Sequence, residues 1–406
     1  MKIIIFIICL LMASSWVQAQ DLQSYIQEAE TNNPQIQAFD LKYNIAQEKV
    51  NEVNTLPNTT VSAGYFVSEP ETRTGAQRAR FSISQMLPWF GTITARQNYA
   101  ASMANVDYVE IAIAKRKLAL AVAQSYYQLY TIDAKKKVLD QNIDLLKTYE
   151  RLALTSVEVG KASAVDVLKL QIRQNEMHQQ RAILEQDYLA EKTNFNNLLN
   201  RPENLTIDVV TEMTLPSEDP IYSENGLELN PEILKYDEML ESIVQSELLN
   251  KKEGAPNIGF GLDYIPIQER PDMSFDDNGK DVVMPMVTFS IPVFNNRIKS
   301  NSKQNEMRLK EIELQKNERF NMLQTALAKG MSGGNEARIK YNTQKVNISQ
   351  AKNAEEILMK NYETGTIDFN DVLDIQELQL KFQMNKIEAV KGYYGQMAVI
   401  NYLTNQ

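Results

Sequence analysis

The chain has 406 residues, a net charge of −10, one histidine and one cysteine. Nucleic-acid binding wants a basic face that this acidic balance does not offer. One histidine and one cysteine leave almost no material for zinc catalysis or a histidine-based nucleophilic triad, so neither an enzyme nor a metal or cofactor site is expected.

The chain opens with Lys2, an apolar run Ile3–Met12 and the small-residue motif Val17-Gln18-Ala19. This is the layout of a secretory signal peptide over residues 1–19, cleaved after Ala19. A membrane anchor would need about 20 apolar residues. The one cysteine, Cys9, falls inside this run and away from the cleavage site. The exported chain is therefore expected to have no disulfide, thiolate ligand or lipidated cysteine. No later apolar run reaches 18 residues, so any membrane span must be built from strands closed into a barrel.

Prolines mark the architecture. They stand at 34, 57, 70 and 88 and then between 202 and 292, but none lies between Trp89 and Arg201 and none follows Val293. Proline breaks helices, so the two proline-free tracts are expected to be long helices. The first reads as helices over 92–158 and 164–200 joined at Val159–Ser163. Val138, Leu145, Leu152 and Val159 recur seven apart, a coiled-coil spacing. A 67-residue helix at about 1.5 Å per residue would run roughly 100 Å. His178, in the polar stretch RQNEMHQQR, reads as a solvated surface residue. The second tract reads as helices over Asn295–Tyr362 and Asp371–Leu403. GMSGGNE at 330–336 is expected to kink the first of them, since each glycine weakens a helix by about 1 kcal/mol relative to alanine.

The proline-bearing regions alternate with period two. TTVSAGYF puts Val61, Ala63 and Tyr65 on one side; RFSISQML does the same for Phe81, Ile83 and Gln85. NIGFGLDYI and VTFSIPVF follow suit, with Ile258, Phe260, Leu262 and Tyr264, then Val287, Phe289, Ile291 and Val293. Such runs read as strands with two unlike faces. They form two hairpins, closed by SEPETRTGAQ and the longer QERPDMSFDDNGK.

The plan is written twice. VEVGKASAVDVLKL (157–170) and YETGTIDFNDVLDI (362–375) share Glu158/Glu363, Gly160/Gly365, Asp166/Asp371, Val167/Val372 and Leu168/Leu373. NNPQI (32–36) answers LNPEI (229–233), and LLN (198–200) answers LTN (403–405). The fold expected is mainly α with a small β-barrel part: a duplicated helix, β-hairpin, long helix and returning helix. The repeats cover 20–200 and 226–406, with 201–225 as connector, or equatorial region. Four strands cannot close a barrel, for which about eight are needed, but a trimer would supply twelve.

This order of elements, YETGTIDFNDVLD and the strand exit QMLPWFGT (85–92) together resemble the TolC family of trimeric outer-membrane efflux channels, over essentially the whole chain after the signal. The resemblance implies a homotrimer with a 12-stranded barrel among outer-membrane lipids and a helical barrel through the periplasm of a Gram-negative bacterium. It also implies a periplasmic adaptor (membrane fusion) protein and an inner-membrane efflux pump as partners. Gly160 and Gly365 would be the turns at the periplasmic hairpin tips, supplying positive φ at helix ends. Lys161–Ala164 and Thr366–Asn370 would meet the adaptor.

By motif, the family's inward gate carboxylates fall on Asp371 and Asp374, three apart and hence on one helix face. Six converging carboxylates in a trimer would make a cation-preferring, pH-sensitive constriction; taken alone, a carboxylate at a helix start is more simply a solvated partner of the helix dipole. Tyr362 matches the tyrosine that holds the entrance shut. Asp166 is the first-repeat counterpart, but Lys169 stands where the second repeat has Asp374. Ile367 stands where well-known members have an arginine, so apolar or other polar contacts would replace that closing ion pair.

Trp89 and Phe90 read as interfacial aromatics or as packing at the barrel junction. Met284 and Met286 allow soft-metal contact, although methionine more commonly packs. Three functions stay open on these residues: an efflux exit duct, a protein-secretion duct, and a periplasmic coiled-coil scaffold outside any membrane.

Overall fold

The computed structural model describes residues 17–404 except 161–162, 221–223, 273, 295, 365 and 368. Residues 1–16 of the expected signal segment and the Gly365 turn thus lie outside the described residues. The elements run twice through one order. The first pass is α1 (Val17–Asn32), α2 (Pro34–Val53), β1 (Thr60–Tyr65), the short β2 (Glu71–Thr72) and β3 (Gly75–Gln77), β4 (Ala79–Leu87), α3 (Thr92–Glu158) and α4 (Ala164–Leu198). After a 3-10 turn at Glu224–Leu227 come α5 (Pro231–Glu253), β5 (Asn257–Ile265), β6 (Ile267–Gln268), β7 (Val282–Ser290), α6 (Asn296–Glu363) and α7 (Phe369–Thr404). Two compact units result: a helical one from described residues of 1–39, 111–231 and 319–406, and a strand-bearing one from 40–110 and 232–318.

The paired NP motifs have a shared structural reason. Pro34 and Pro231 take the first position of α2 and α5, where a missing N–H costs nothing. The preceding asparagines reach back to the end of the returning helix of their own repeat. Asn33 Nδ2 donates to Leu198 O at 2.8 Å, and Asn230 Nδ2 donates to Leu403 O at 2.9 Å. Each thereby satisfies a terminal carbonyl that the helix itself leaves unpaired.

α3 and α6 run unbroken for 67 and 68 residues. The kink expected at GMSGGNE is not found as a break in α6. The glycines there face α7 instead: a Cβ on Gly330 would stand 3.1 Å from Ile400 Cγ1, and one on Gly333 would stand 3.0 Å from Gln396 Cδ. Their missing side chains are the space that α7 occupies. The expected seam of α3 is also displaced by one position. The buried residues are Leu139, Ile143, Leu146, Tyr149 and Ala153, while Val138 and Leu145 are half-buried and Leu152 and Val159 exposed. The spacing therefore has the right period, but packing against α4 and α7 selects the neighbouring stripe.

In the helical unit one core joins Ala29, Ile36, Leu118, Val122, Tyr126, Leu129, Phe195 and Leu199 to Ile207 of the connector. Tyrosine hydroxyls lace the connector to the helices. Tyr25, Tyr126 and Tyr130 accept from the backbone N–H of Asp208, Val210 and Met213 at 3.0, 3.2 and 3.0 Å. Tyr394 donates to Thr214 O at 2.6 Å and Tyr393 to Asp219 at 2.7 Å. Arg338 forms an ion pair with the same aspartate.

The strand-bearing unit holds an antiparallel sheet in the order β1-β4-β5-β7. β7 ends at Ser290, so Ile291 and Val293 lie past the strand rather than on its face. Pro285 sits inside β7, tolerated because β7 is an edge strand. The two hairpin loops add a small sheet of their own, β2-β3-β6, tied by the ion pairs Arg73–Asp277 and Arg270–Glu71.

Candidate functional site

Two places have the geometry of a site, one in each unit. In the helical unit it is the end where α3 turns into α4 and α6 into α7. Gly160, just after α3, has φ +70° with open space where a Cβ would stand. That left-handed backbone ends the helix at little steric cost only with glycine. α4 then starts at a capping box: Val165 N donates to Ser163 Oγ at 3.2 Å and Ser163 N donates to Asp166 Oδ2 at 3.3 Å. Asp166 is thus engaged in its own helix start.

Asp371 and Asp374 are both exposed in the first turns of α7 and make no ion pair among the described residues. Tyr362 is placed elsewhere, packed inward with its ring 4.8 Å from Phe369 and its hydroxyl buried without a partner. The structure therefore brings the two carboxylates onto one solvent-facing surface and packs the half-buried tyrosine against the core behind them. Ile367 joins that same core, which contains Tyr149, Val167, Leu170, Phe369 and Val372. Lys169 donates to Asn370 across the α4–α7 boundary, and Arg173 pairs with Glu377 one turn further on.

A buried polar cluster lies beneath this layer. Glu355 of α6 accepts from Tyr149 Oη at 2.7 Å and from Gln376 Nε2 at 3.1 Å. All three residues are buried. Burial, and then the hydrogen bond to this carboxylate, push the Tyr149 hydroxyl well above its ordinary range, so it stays a donor throughout the neutral range. Sequence reading passed over this cluster. Its signal is a charge on an apolar stripe, since Ala351, Glu355, Leu358, Met359 and Tyr362 share one face of α6.

In the strand-bearing unit the register sorts the sheet into two chemistries. Val61, Ile83, Leu262 and Pro285 are cross-strand neighbours, as are Gln85, Phe260 and Val287. Phe81 stacks on Tyr264 at 6.4 Å. This face is apolar and largely uncovered: Val61 is 74% exposed, Phe289 63% and Phe260 52%. The opposite face carries Ser62, Ser82, Asp263 and Met284 in one row and Thr60, Ser84, Gly261 and Met286 in the next. Arg80 and Asp263, the latter fully buried, pair on it. Soluble proteins rarely leave so continuous an apolar face open. Among the described residues no helix is long and apolar enough to cross a membrane, and no group of three or more His, Cys, Asp or Glu is placed to hold a metal ion.

Residues 25–201 match the outer membrane efflux protein family. No curated protein matches the sequence. Among solved structures the chain is similar to the outer membrane protein VceC of Vibrio cholerae, at 16% identity and TM-score 0.77, over 95% of this chain and 96% of that one. The CmeC outer membrane channel of Campylobacter jejuni is similar at 14% identity and TM-score 0.74, over 95% and 85%. The open MtrE outer membrane channel of Neisseria gonorrhoeae is similar at 14% identity and TM-score 0.72, over 95% and 88%. The matching family is one of efflux proteins and not of enzymes. Residues 25–201 are thus similar in sequence to the outer membrane efflux protein family, and over 95% of its length the chain shares the fold of these outer-membrane channels.

Proposed function

We propose that three copies of this chain assemble into a passive exit duct through the outer membrane, fed by an inner-membrane pump through a periplasmic adaptor. The observation that carries this is the four-stranded sheet, with its open apolar face, its small and polar reverse, and free edges on β1 and β7. Three copies would pair those edges into twelve strands, enough to enclose a lumen. Strands of nine residues, as β4, β5 and β7 are, suit the wall of such a barrel when tilted. Lipid would cover the apolar face and the serine, threonine and glycine rows would line the water. The exposed stripe Leu152 and Val159 offers a neighbouring helix the same kind of cover along the α-barrel.

In this reading residues 20–200 and 226–406 are the two structural repeats and 201–225 the connector that straps them. Gly160 and Gly365 turn the hairpin tips, where residues 161–164 and 366–370 meet the adaptor. Asp371 and Asp374 line the narrow periplasmic entrance, and Tyr362 and Ile367 hold it closed from behind through apolar packing. Asp166, engaged in its capping box, supports the first-repeat turn and does not gate. The driving force belongs to the pump, and the chain contributes no catalysis.

The test is single-channel conductance in a planar bilayer, with Asp371→Ala/Asp374→Ala beside the unaltered protein. Small, cation-selective currents that lose selectivity in the variant are expected. Unchanged currents in the variant would take the constriction away from these carboxylates. A folded protein that never inserts would return the reading to a periplasmic scaffold.

A further inference from the structure

One end of the sheet carries an apolar collar followed immediately by positive charge. Leu87, Ile258 and Phe289 are neighbours at that end. Beyond it β4 runs into Trp89 and Phe90, whose rings meet edge to face at 5.8 Å, and β7 runs into Ile291, Val293 and Phe294. Phe90 is 79% exposed and Phe294 91%. Nothing among the described residues covers them.

The charge is brought there by tertiary contacts. Lys252, at the end of α5, lies over the β4–α3 junction, its Nζ 3.3 Å from where a Cβ on Gly91 would stand. The end of α5 is fixed to the start of α6: Asn250 Nδ2 donates to Ile298 O at 3.0 Å and to Ser302 Oγ at 3.1 Å. Arg297 and Lys299, both exposed, stand in the first turn of the helix so fixed.

The nearby acids are already engaged. Glu253 pairs with Arg96, Glu52 with Lys49, and Glu247 is held by Ser302 and Asn305. Lys252, Arg297 and Lys299 make no ion pair among the described residues, and no Asp or Glu occurs between Asp281 and Glu306. A chain of net charge −10 has thus set three unneutralised cations next to exposed aromatic rings.

Resting on the reading that the sheet spans the outer membrane, we propose that this belt is a binding surface for anionic phospholipid headgroups of the periplasmic leaflet. The rings of Trp89, Phe90 and Phe294 would sit at the level of the acyl boundary, where amphipathic and aromatic side chains concentrate. Arg297 and Lys299 stand in the first turn of α6, a short way along the chain from Phe294, so the guanidinium and the ammonium reach the phosphate layer. Arginine offers the phosphate a planar fork, and the lysines a mobile point charge. A zwitterionic lipid would leave these cations without net compensation, so the surface selects for charge.

The experiment is fluorescence quenching of Trp89, the tryptophan that remains once residues 1–19 are removed, with the processed chain in bilayers mixing phosphatidylglycerol and phosphatidylcholine, either one brominated. Brominated phosphatidylglycerol is expected to quench several-fold more strongly at equal mole fraction, with the preference shrinking as salt is raised. Lys252→Gln/Arg297→Gln/Lys299→Gln should bring the preference down to near parity. Lys345→Gln/Lys352→Gln/Lys360→Gln, matched in net charge but far along α6, should leave it intact. Equal quenching by both lipids, or an unchanged preference in the first triple variant, would overturn the headgroup site and leave the channel standing. No quenching in any bilayer would overturn both.

Discussion

At the residue scale, the best-defined single groups are those that fasten the connector and fill the helix ends. Asp219 is the clearest electrostatic case. The hydrogen bond from Arg338 foremost, offset in part by burial and assisted by Tyr393, holds its carboxyl below the ordinary value of 3.8. A carboxylate with a lowered folded value stabilises the fold at any pH above its unfolded value, and that contribution disappears as pH falls through the folded one. Acidification below the usual aspartate range should therefore release the connector. Amide exchange over residues 208–220 should rise there, and Asp219→Asn should give the same rise at neutral pH. Protection unchanged in the variant would mean that the tyrosine ladder alone holds the strap. Sequence could not single out Asp219, because its partners lie 119 and 174 positions away. Glu355 was more accessible: a carboxylate on an apolar stripe is visible in the letters, while its donors Tyr149 and Gln376 are not.

At the element scale, the helices were legible and their faces less so. The absence of proline set the extents of α3, α4, α6 and α7 to within a residue or two, since no other residue ends a helix so reliably. The seam of α3 was placed one position off, because heptad spacing fixes a period but not which stripe finds a partner. GMSGGNE shows the same limit. Three glycines weaken an isolated helix, yet here they admit the neighbouring one. Two substitutions separate those effects. Gly330→Leu and Gly333→Leu should destabilise the protein by roughly 1–3 kcal/mol through overpacking, although leucine is the better helix former. Gly395→Ala, on α7 with nothing within 4 Å of the new Cβ, should stabilise it by about 0.5–1 kcal/mol. Thermal or denaturant unfolding measures both. If the leucine variants proved more stable than the parent, close approach would not be the reason for those glycines.

At the scale of the whole molecule, the duplicated plan has a consequence that neither repeat carries alone. Each repeat supplies one hairpin, and the two meet through β4 and β5 in one sheet with both outer edges free. Free edges beside an open apolar face are an aggregation hazard unless they are paired and covered. The protein is accordingly expected to be isolated from membranes in mild detergent with a protein mass three times that of its processed chain, read by light scattering corrected for bound detergent. A monomer with folded strands would contradict edge pairing between copies. The connector fits the same picture, since it is the covalent link between the repeats and is laced to helices of both.

What the sequence by itself determined is whatever depends on local chemistry and period. The proline-free tracts, the alternation of the strands, the NP starts and the glycine after α3 each act within a few residues, and the order of these signals carried the family resemblance. What only the tertiary structure decided is which of the periodic faces meet. The register that puts Val61, Ile83 and Leu262 in one row, the inward packing of Tyr362 behind two exposed carboxylates, and the approach of Lys252 to Gly91 all depend on contacts between distant segments. Such contacts are chosen by the shape and charge of both partners at once, and a linear pattern states only one partner at a time.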